Sequence, residues 1–284
     1  MAKKVVTKRI KKASADGARK SPAQGVTLEG IPIELPRVTD EQRARASNLL
    51  AELEAEYPTA HCELDYTKPH ELLIATILSA QTTDVGVNKA TPALFKRFPT
   101  PADYAKATPE EIEPYVRSLG FFRNKARAVH QAMTAVVEQH GGEVPRTMEE
   151  LLELRGVARK TANVVLGNAF GINMGFVVDT HVERLSKRFG LVPEGANVQA
   201  IERWLMAQFP RERWCDLSHM LIWHGRRACK ARGVACSMHP ICSRFGVACE
   251  RRDVPVRSEQ MRGTVGGNKP ARPTAGKAAK KKAR

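Results

Sequence analysis

The chain has little of what several large protein classes require. It contains no apolar run approaching the roughly 18 residues of a membrane-spanning helix. The N-terminus has no apolar core of a secretory signal, although it is basic and acid-poor, as a transit peptide also is. Aromatic residues make up only 6%. Strand-like alternation is nearly absent, which argues against a sandwich or barrel. Only six cysteines occur in 284 residues, four of them crowded near the C-terminus. That pattern does not suit a secreted disulfide framework and points to a reducing intracellular compartment.

Basic charge is abundant, but it is concentrated at the ends. Of the formal +16, residues 1–20 hold +7 and residues 262–284 hold +8, which leaves +1 for everything between. Both ends lack large apolar residues, so tails at 1–36 and 251–284 are expected to be disordered. Two tails of one sign suit non-specific, salt-dependent attraction to a polyanion; solubilising ends are the plainer reading.

Helix signals fill the interior. Thr39 with Gln42 makes a capping box for a helix to about Tyr57. An apolar helix runs from Pro69 to about Ala80, and Asp84 can cap another towards Phe98. Thr108-Pro109-Glu110-Glu111 starts a helix that Gly120 can stop, and residues 123–139 form a further helix ending at Gly141-Gly142. Thr147 caps Met148–Leu154, and Lys160–Phe170 follows a glycine turn. Asp179 or Thr180 opens a helix to about Arg188, and two more lie near 198–209 and 211–225. The expected class is all-α, with about ten helices and short connections.

The run Leu154-Arg155-Gly156-Val157-Ala158-Arg159-Lys160-Thr161-Ala162 reads as helix, tight turn and helix. Such a hairpin offers backbone N–H groups at a helix N-terminus, a seat for a phosphate. Lys160 lies where the dipole is unfavourable to a second positive charge, which suits an amine nucleophile. Asp179, nineteen residues on, can serve as its base. Taken singly, a solvated lysine and an N-cap aspartate explain both residues equally well.

Near the C-terminus, Cys229, Cys236, Cys242 and Cys249 are spaced C-x6-C-x5-C-x6-C. Four thiols in a short loop rich in Arg and Lys suit a [4Fe–4S] cluster. Zinc competes, but the short C-x2–4-C knuckle usual for it is missing. Cys62 and Cys215 read as buried thiols.

Leu154–Ala162, Val178-Asp179-Thr180-His181, Leu78-Ser79-Ala80-Gln81-Thr82-Thr83-Asp84, Gly167-Asn168-Ala169-Phe170-Gly171, His224-Gly225-Arg226 and the cysteine group together resemble the endonuclease III family of DNA glycosylases. The likeness spans about residues 40–249. It implies two helical domains with a DNA groove between them. One (62–172) would be a six-helix bundle carrying the helix-hairpin-helix at 147–170. The other (37–61 plus 173–250) would carry the cluster.

The resemblance also implies a monomeric, DNA-associated enzyme of base-excision repair. It would remove oxidised pyrimidines from duplex DNA and nick the strand by β-elimination. Lys160 would be the nucleophile and Asp179 the catalytic carboxylate. Gln81 would fill the gap left by a flipped nucleotide, and Phe121 falls where the family places an apolar wedge; the plainer reading of Phe121 is a core aromatic. Arg155, Gly156, Val157, Ala158, Arg159 and Thr161 would face DNA. Arg226, Arg227, Lys230 and Arg232 would form a basic loop beside the cluster, and His181 and His224 would be structural.

Two departures stand out. Arg155 and Ala158 replace a proline and a glycine usual in the hairpin. The last two cysteines are displaced relative to the family spacing, with His239 at the place expected for the third. His239 is therefore an alternative ligand. The competing functions are an adenine-mismatch glycosylase without lyase activity, and a DNA-binding protein that does no chemistry.

Overall fold

The computed structural model describes residues 26–28, 30–232 and 239–247. The expected basic tails lie largely outside the described residues, as do Cys236 and Cys249.

Two short strands come first, β1 (Val26–Leu28) and β2 (Ile31–Leu35), paired antiparallel around Gly30 at φ +71°. They fall inside the stretch expected to be a structureless tail, which is thereby corrected for these residues. Ile31 and Leu35, at opposite ends of β2, are 4% and 2% exposed, and their burial holds the hairpin to the body.

Helices then follow almost without interruption. α1 is Asp40–Glu56, α2 Pro69–Leu78, α3 Asp84–Arg97, α4 Pro101–Lys106, α5 Pro109–Val116 and α6 Phe122–His140. α7 is Met148–Glu153, α8 Arg159–Phe170, α9 Thr180–Arg188, α10 Val198–Gln208, α11 Trp214–Arg227 and α12 Pro240–Phe245. The expected capping box at Thr39/Gln42 is formed, and the helix start at Thr108 proves to be a second one, with Glu111. α3 is capped by Thr83 rather than Asp84: the Thr83 hydroxyl accepts from Gly86 N, leaving the Asp84 carboxylate free for other work.

Two apolar cores result. The first draws on one continuous stretch, Leu64 to Val177, and is centred on α2, whose residues from His70 to Leu78 are all buried. A helix apolar on every side belongs inside a bundle. Each of Leu72, Leu73, Ile74 and Leu78 contributes about 1.5–3 kcal/mol by leaving water. α6 and α8 pack on it, and α4 and α5 pack on α6. The second core joins Ile31–Tyr57 to Phe176–Phe245, with Trp214 fully buried among Phe176, Phe189 and Leu221. The chain passes between them at residues 172–178. There Val177 enters the first core while Phe176 and Val178 enter the second.

Candidate active site and nucleic-acid interface

The turn between α7 and α8 is built around Gly156. Its φ of +83° favours glycine, and a Cβ there would stand 3.2 Å from the Cβ of Ala128 and 3.4 Å from a methyl of Ile77. Leu154 and Val157 are buried on either side and anchor the turn to the first core. Ala158, the N-cap of α8, sits at φ −100°, ψ 170°, ordinary extended backbone. Alanine in place of the usual glycine therefore costs no strain. Its side chain caps nothing, so the first-turn N–H groups of α8 face outward for an anion. Beside them Arg155 and Gly156 share a concavity of about 740 Å³ with Asn124, Arg127, Ala128 and Gln131.

Lys160 is exposed in the first turn of α8. Asp179 is half-buried at the N-cap of α9, where its Oδ1 accepts from His181 N and Val182 N, both at 2.8 Å. Both side chains line a narrow cavity of about 70 Å³ and also a wider one of about 530 Å³, and Ser79, Asp84 and Arg226 line both as well. The amine and the carboxylate that the sequence set nineteen residues apart thus border one space.

Three charged groups at that space were not placed there by the sequence reading: Asp84, Arg226 and Glu63. Asp84 lines both cavities. Burial pushes its carboxyl up; Lys160 pulls the other way, and the charge of Asp179 adds to the rise. Arg226 donates through Nη2 to Asp84 Oδ2 at 2.6 Å and through Nη1 to Glu63. Arg226 and Arg227 were expected in a basic loop beside the cysteines. Both instead end α11, and Arg227 stacks over Trp223 at 3.5 Å and approaches Glu63 at 3.6 Å.

Gln81 and Phe121 are the only non-glycine residues at positive φ among the described residues, at +55° and +58°. Gln81 ends the turn after α2, and Phe121 is the N-cap of α6. Both are exposed, Phe121 to 66%, which overturns the reading of Phe121 as a core aromatic. Left-handed backbone at non-glycine residues is costly and gathers at functional sites.

Residues 74–211 match the model of the HhH-GPD superfamily of base excision DNA repair proteins. Endonuclease III of a Synechocystis species is 52% identical over 195 residues, covering 69% of this chain and 89% of the relative. Endonuclease III of Bacillus subtilis is 44% identical over 187 residues, covering 66% and 85%. The solved structure of a trapped endonuclease III–DNA covalent intermediate aligns with TM-score 0.67 and 43% identity, over 72% of this chain and 94% of that one. This chain belongs to the endonuclease III family. It is thus a DNA glycosylase/lyase of base-excision repair, with the all-α fold that its sequence implied.

The family hairpin carries one surprise. Arg159, expected to face DNA, is turned to another task. Its Nε donates to both carboxylate oxygens of Glu202 at 2.9 Å, and its Nη2 donates to the carbonyl of Met174 at 3.1 Å. Asn163 Nδ2 joins the same carboxylate at 2.9 Å and the Phe176 carbonyl at 3.2 Å. Gly175 makes room for this: a Cβ there would stand 2.0 Å from Glu202 Oε1. α8 of the first core is thereby tied to α10 of the second, one residue before Lys160. Val157 is buried and Thr161 half-buried, which leaves Arg155 as the charged side chain of the turn nearest the concavity.

At the cysteine end, Cys229 and Cys242 are both buried within the second core. Arg188 Nη1 donates to Cys229 Sγ at 3.1 Å. The Tyr57 hydroxyl lies 2.9 Å from His224 Nδ1; when it donates there, Nε2–H is left to donate to Cys242 Sγ at 3.1 Å. Burial drives His224 down to about 3, so the ring is neutral. His224, His239 and Cys242 bring three potential metal-ligating atoms within 4.8 Å of one another. Buried sulfurs receiving hydrogen bonds from a guanidinium and an imidazole fit the ligand environment of an iron–sulfur cluster.

Proposed function

We propose that this enzyme removes oxidised pyrimidines from duplex DNA and then cuts the strand through an imine on Lys160. The observation that carries this reading is the shared cavity: the exposed amine of Lys160 and the carboxylate of Asp179 border the same space, beside an uncapped helix N-terminus suited to a phosphate. The trapped covalent complex of an endonuclease III with DNA supports the same chemistry by likeness.

The damaged nucleotide leaves the stack and enters the space between the two cores. Lys160 Nζ bonds to the sugar C1′ while the base departs with the bonding electron pair and takes up a proton. Asp179 accepts the proton shed by the amine and offsets positive charge developing on the sugar. The nitrogen lone pair then expels O4′, which takes up a proton, and the sugar ring opens to an iminium; this makes the C2′ hydrogen acidic, and its loss expels the 3′ phosphate and cuts the strand. Gln81 and Phe121, held outward at the rim, fill the vacated stack. Asp84, paired with Arg226, keeps a third carboxylate at the cavity wall without crowding the amine with an unbalanced negative charge.

Cys229 and Cys242, with Cys236 and Cys249 outside the described residues, would hold a [4Fe–4S] cluster, and His239 stands close enough to replace one sulfur. Bound there, the cluster supplies a rigid, charge-bearing anchor for the chain that follows α11.

Borohydride trapping on duplex containing an abasic site tests the reading. The wild-type chain becomes covalently linked; Lys160→Ala does not, and its strand cleavage falls by roughly 10³-fold or more. Because Lys160 is exposed, its removal leaves the fold intact. Trapping that survives in Lys160→Ala refutes the assignment. Duplex binding without any trapping in wild type leaves a non-catalytic binder or a glycosylase without lyase activity.

A further inference from the structure

Lys125 is a lysine where a lysine is out of place. It lies in the first turn of α6, only 6% exposed, and among the described residues its ammonium makes no ion pair. Its Nζ donates to Thr82 Oγ1 at 2.5 Å, and its backbone N–H donates to the carbonyl of Phe121 at 3.1 Å. Thr82 follows Gln81, so one residue touches the turn holding Gln81 and the N-cap holding Phe121. These are the two left-handed, exposed residues of the rim.

Gly86, in the first turn of α3, lies between the same two segments. A Cβ on it would stand 3.3 Å from Thr82 Cγ2 and from Thr83 Oγ1, and 4.0 Å from Leu119, two residues before Phe121. The close approach at this glycine leaves little slack between the Gln81 turn and the chain that leads into α6. An ordinary buried side chain would serve packing as well. An unpaired buried ammonium is unfavourable there, and burial pushes it below the usual lysine range.

We propose that Lys125 is a positioning residue: its bond to Thr82 locks the Gln81 turn to the start of α6, so that Gln81 and Phe121 enter a duplex as one rigid unit. This rests on the reading of those two residues as the inserting pair. A rigid pair spends no binding energy on its own ordering, which favours insertion once a nucleotide has left the stack.

The test uses the full chain and two variants, Lys125→Met and Thr82→Val, which remove opposite ends of the bond. Single-turnover cleavage of a duplex carrying an abasic site is expected to fall about tenfold in each, the scale of one charged hydrogen bond. Borohydride trapping on a single-stranded abasic oligonucleotide, where no stacked gap needs filling, is expected to stay within about twofold; this also reports that each variant folds. Placed on a Gln81→Ala/Phe121→Ala background, either variant should cause no further loss. Equal losses on single and double strands, or losses that multiply on that background, would show that Lys125 does not act through the pair. Full duplex activity in both variants overturns the brace while the inserting pair stands. If Gln81→Ala/Phe121→Ala itself cleaves duplex like wild type, the insertion reading falls and takes the brace with it.

Discussion

The two cores are built from different kinds of sequence. The first is one uninterrupted stretch in which helices pack on others close by in the chain, α3 on α5 and α4 and α5 on α6, with α2 at its centre. The second must bring the segment ending at Tyr57 onto helices that begin more than a hundred residues later. Local contacts make the first a natural early-folding unit; the second depends on closing a long loop. The proposed chemistry sits on the seam between them. Lys160 comes from the first, Asp179 leads into the second, and polar ties cross beside both. The alignment of amine with carboxylate is thus a property of two bodies held together rather than of either alone.

The strongest challenge to that picture is to cut a tie. Glu202→Ala should destabilise the protein by about 2–4 kcal/mol, because Arg159 and Asn163 keep their donors without the carboxylate; the low end applies since Arg159 retains 30% of its side chain in solvent. Denaturant unfolding measures this, and strand cleavage should fall although Lys160 is untouched. Unchanged cleavage would mean the amine is placed by the first core alone.

A pH titration separates the two bodies next. His219 of α11 is buried, lies 2.8 Å through Nε2 from Asn168 Oδ1 in α8, and burial lowers it from 6.5 to about 4. Above pH 6.5 the ring is neutral in both folded and unfolded chains and exerts no effect. Between 6.5 and 4 only the unfolded chain takes up the proton, so stability falls as the pH falls, by on the order of 3 kcal/mol in all. His219→Gln should flatten that slope. An identical slope in the variant would place the acid sensitivity elsewhere.

Within the first core, Gly156→Ala should cost about 1–3 kcal/mol from the left-handed φ and the tight Ala128 approach, and should weaken duplex binding. A variant as stable as wild type would mean the turn can relax. The smallest effect is expected from Ala158→Gly. It leaves the backbone relaxed and removes one methyl from the phosphate face, changing duplex affinity by about twofold to threefold with cleavage retained. No change in affinity would make Ala158 neutral.

Legibility in the sequence followed the same division. Caps and the glycine turn are local: they announced α1, α7 and α8 within a residue or two and the start of α5, which ends at Val116, short of the expected stop at Gly120. α4 was missed because six residues carry less than two turns of periodicity, though Thr100 and Asp103 do form a capping box. β2 was hidden by the charge of the preceding tail, although Ile31, Ile33 and Leu35 alternate. Lys160 and Asp179 were legible only as parts of longer motifs. Asp84 and Arg226 were not legible as a pair, because 142 residues separate them and nothing in either segment names the other. Arg159 misled for a related reason: an arginine in a phosphate-binding turn looks like a contact until Glu202 is seen behind it.

The crossing at Phe176, Val177 and Val178 has a mechanical meaning. Three consecutive side chains are pegs driven alternately into opposite walls, and Asp179 is the next link after the last peg. Any sliding of one lobe past the other would have to pull a peg, so the carboxylate keeps its bearing on the lysine when a load is placed across the seam.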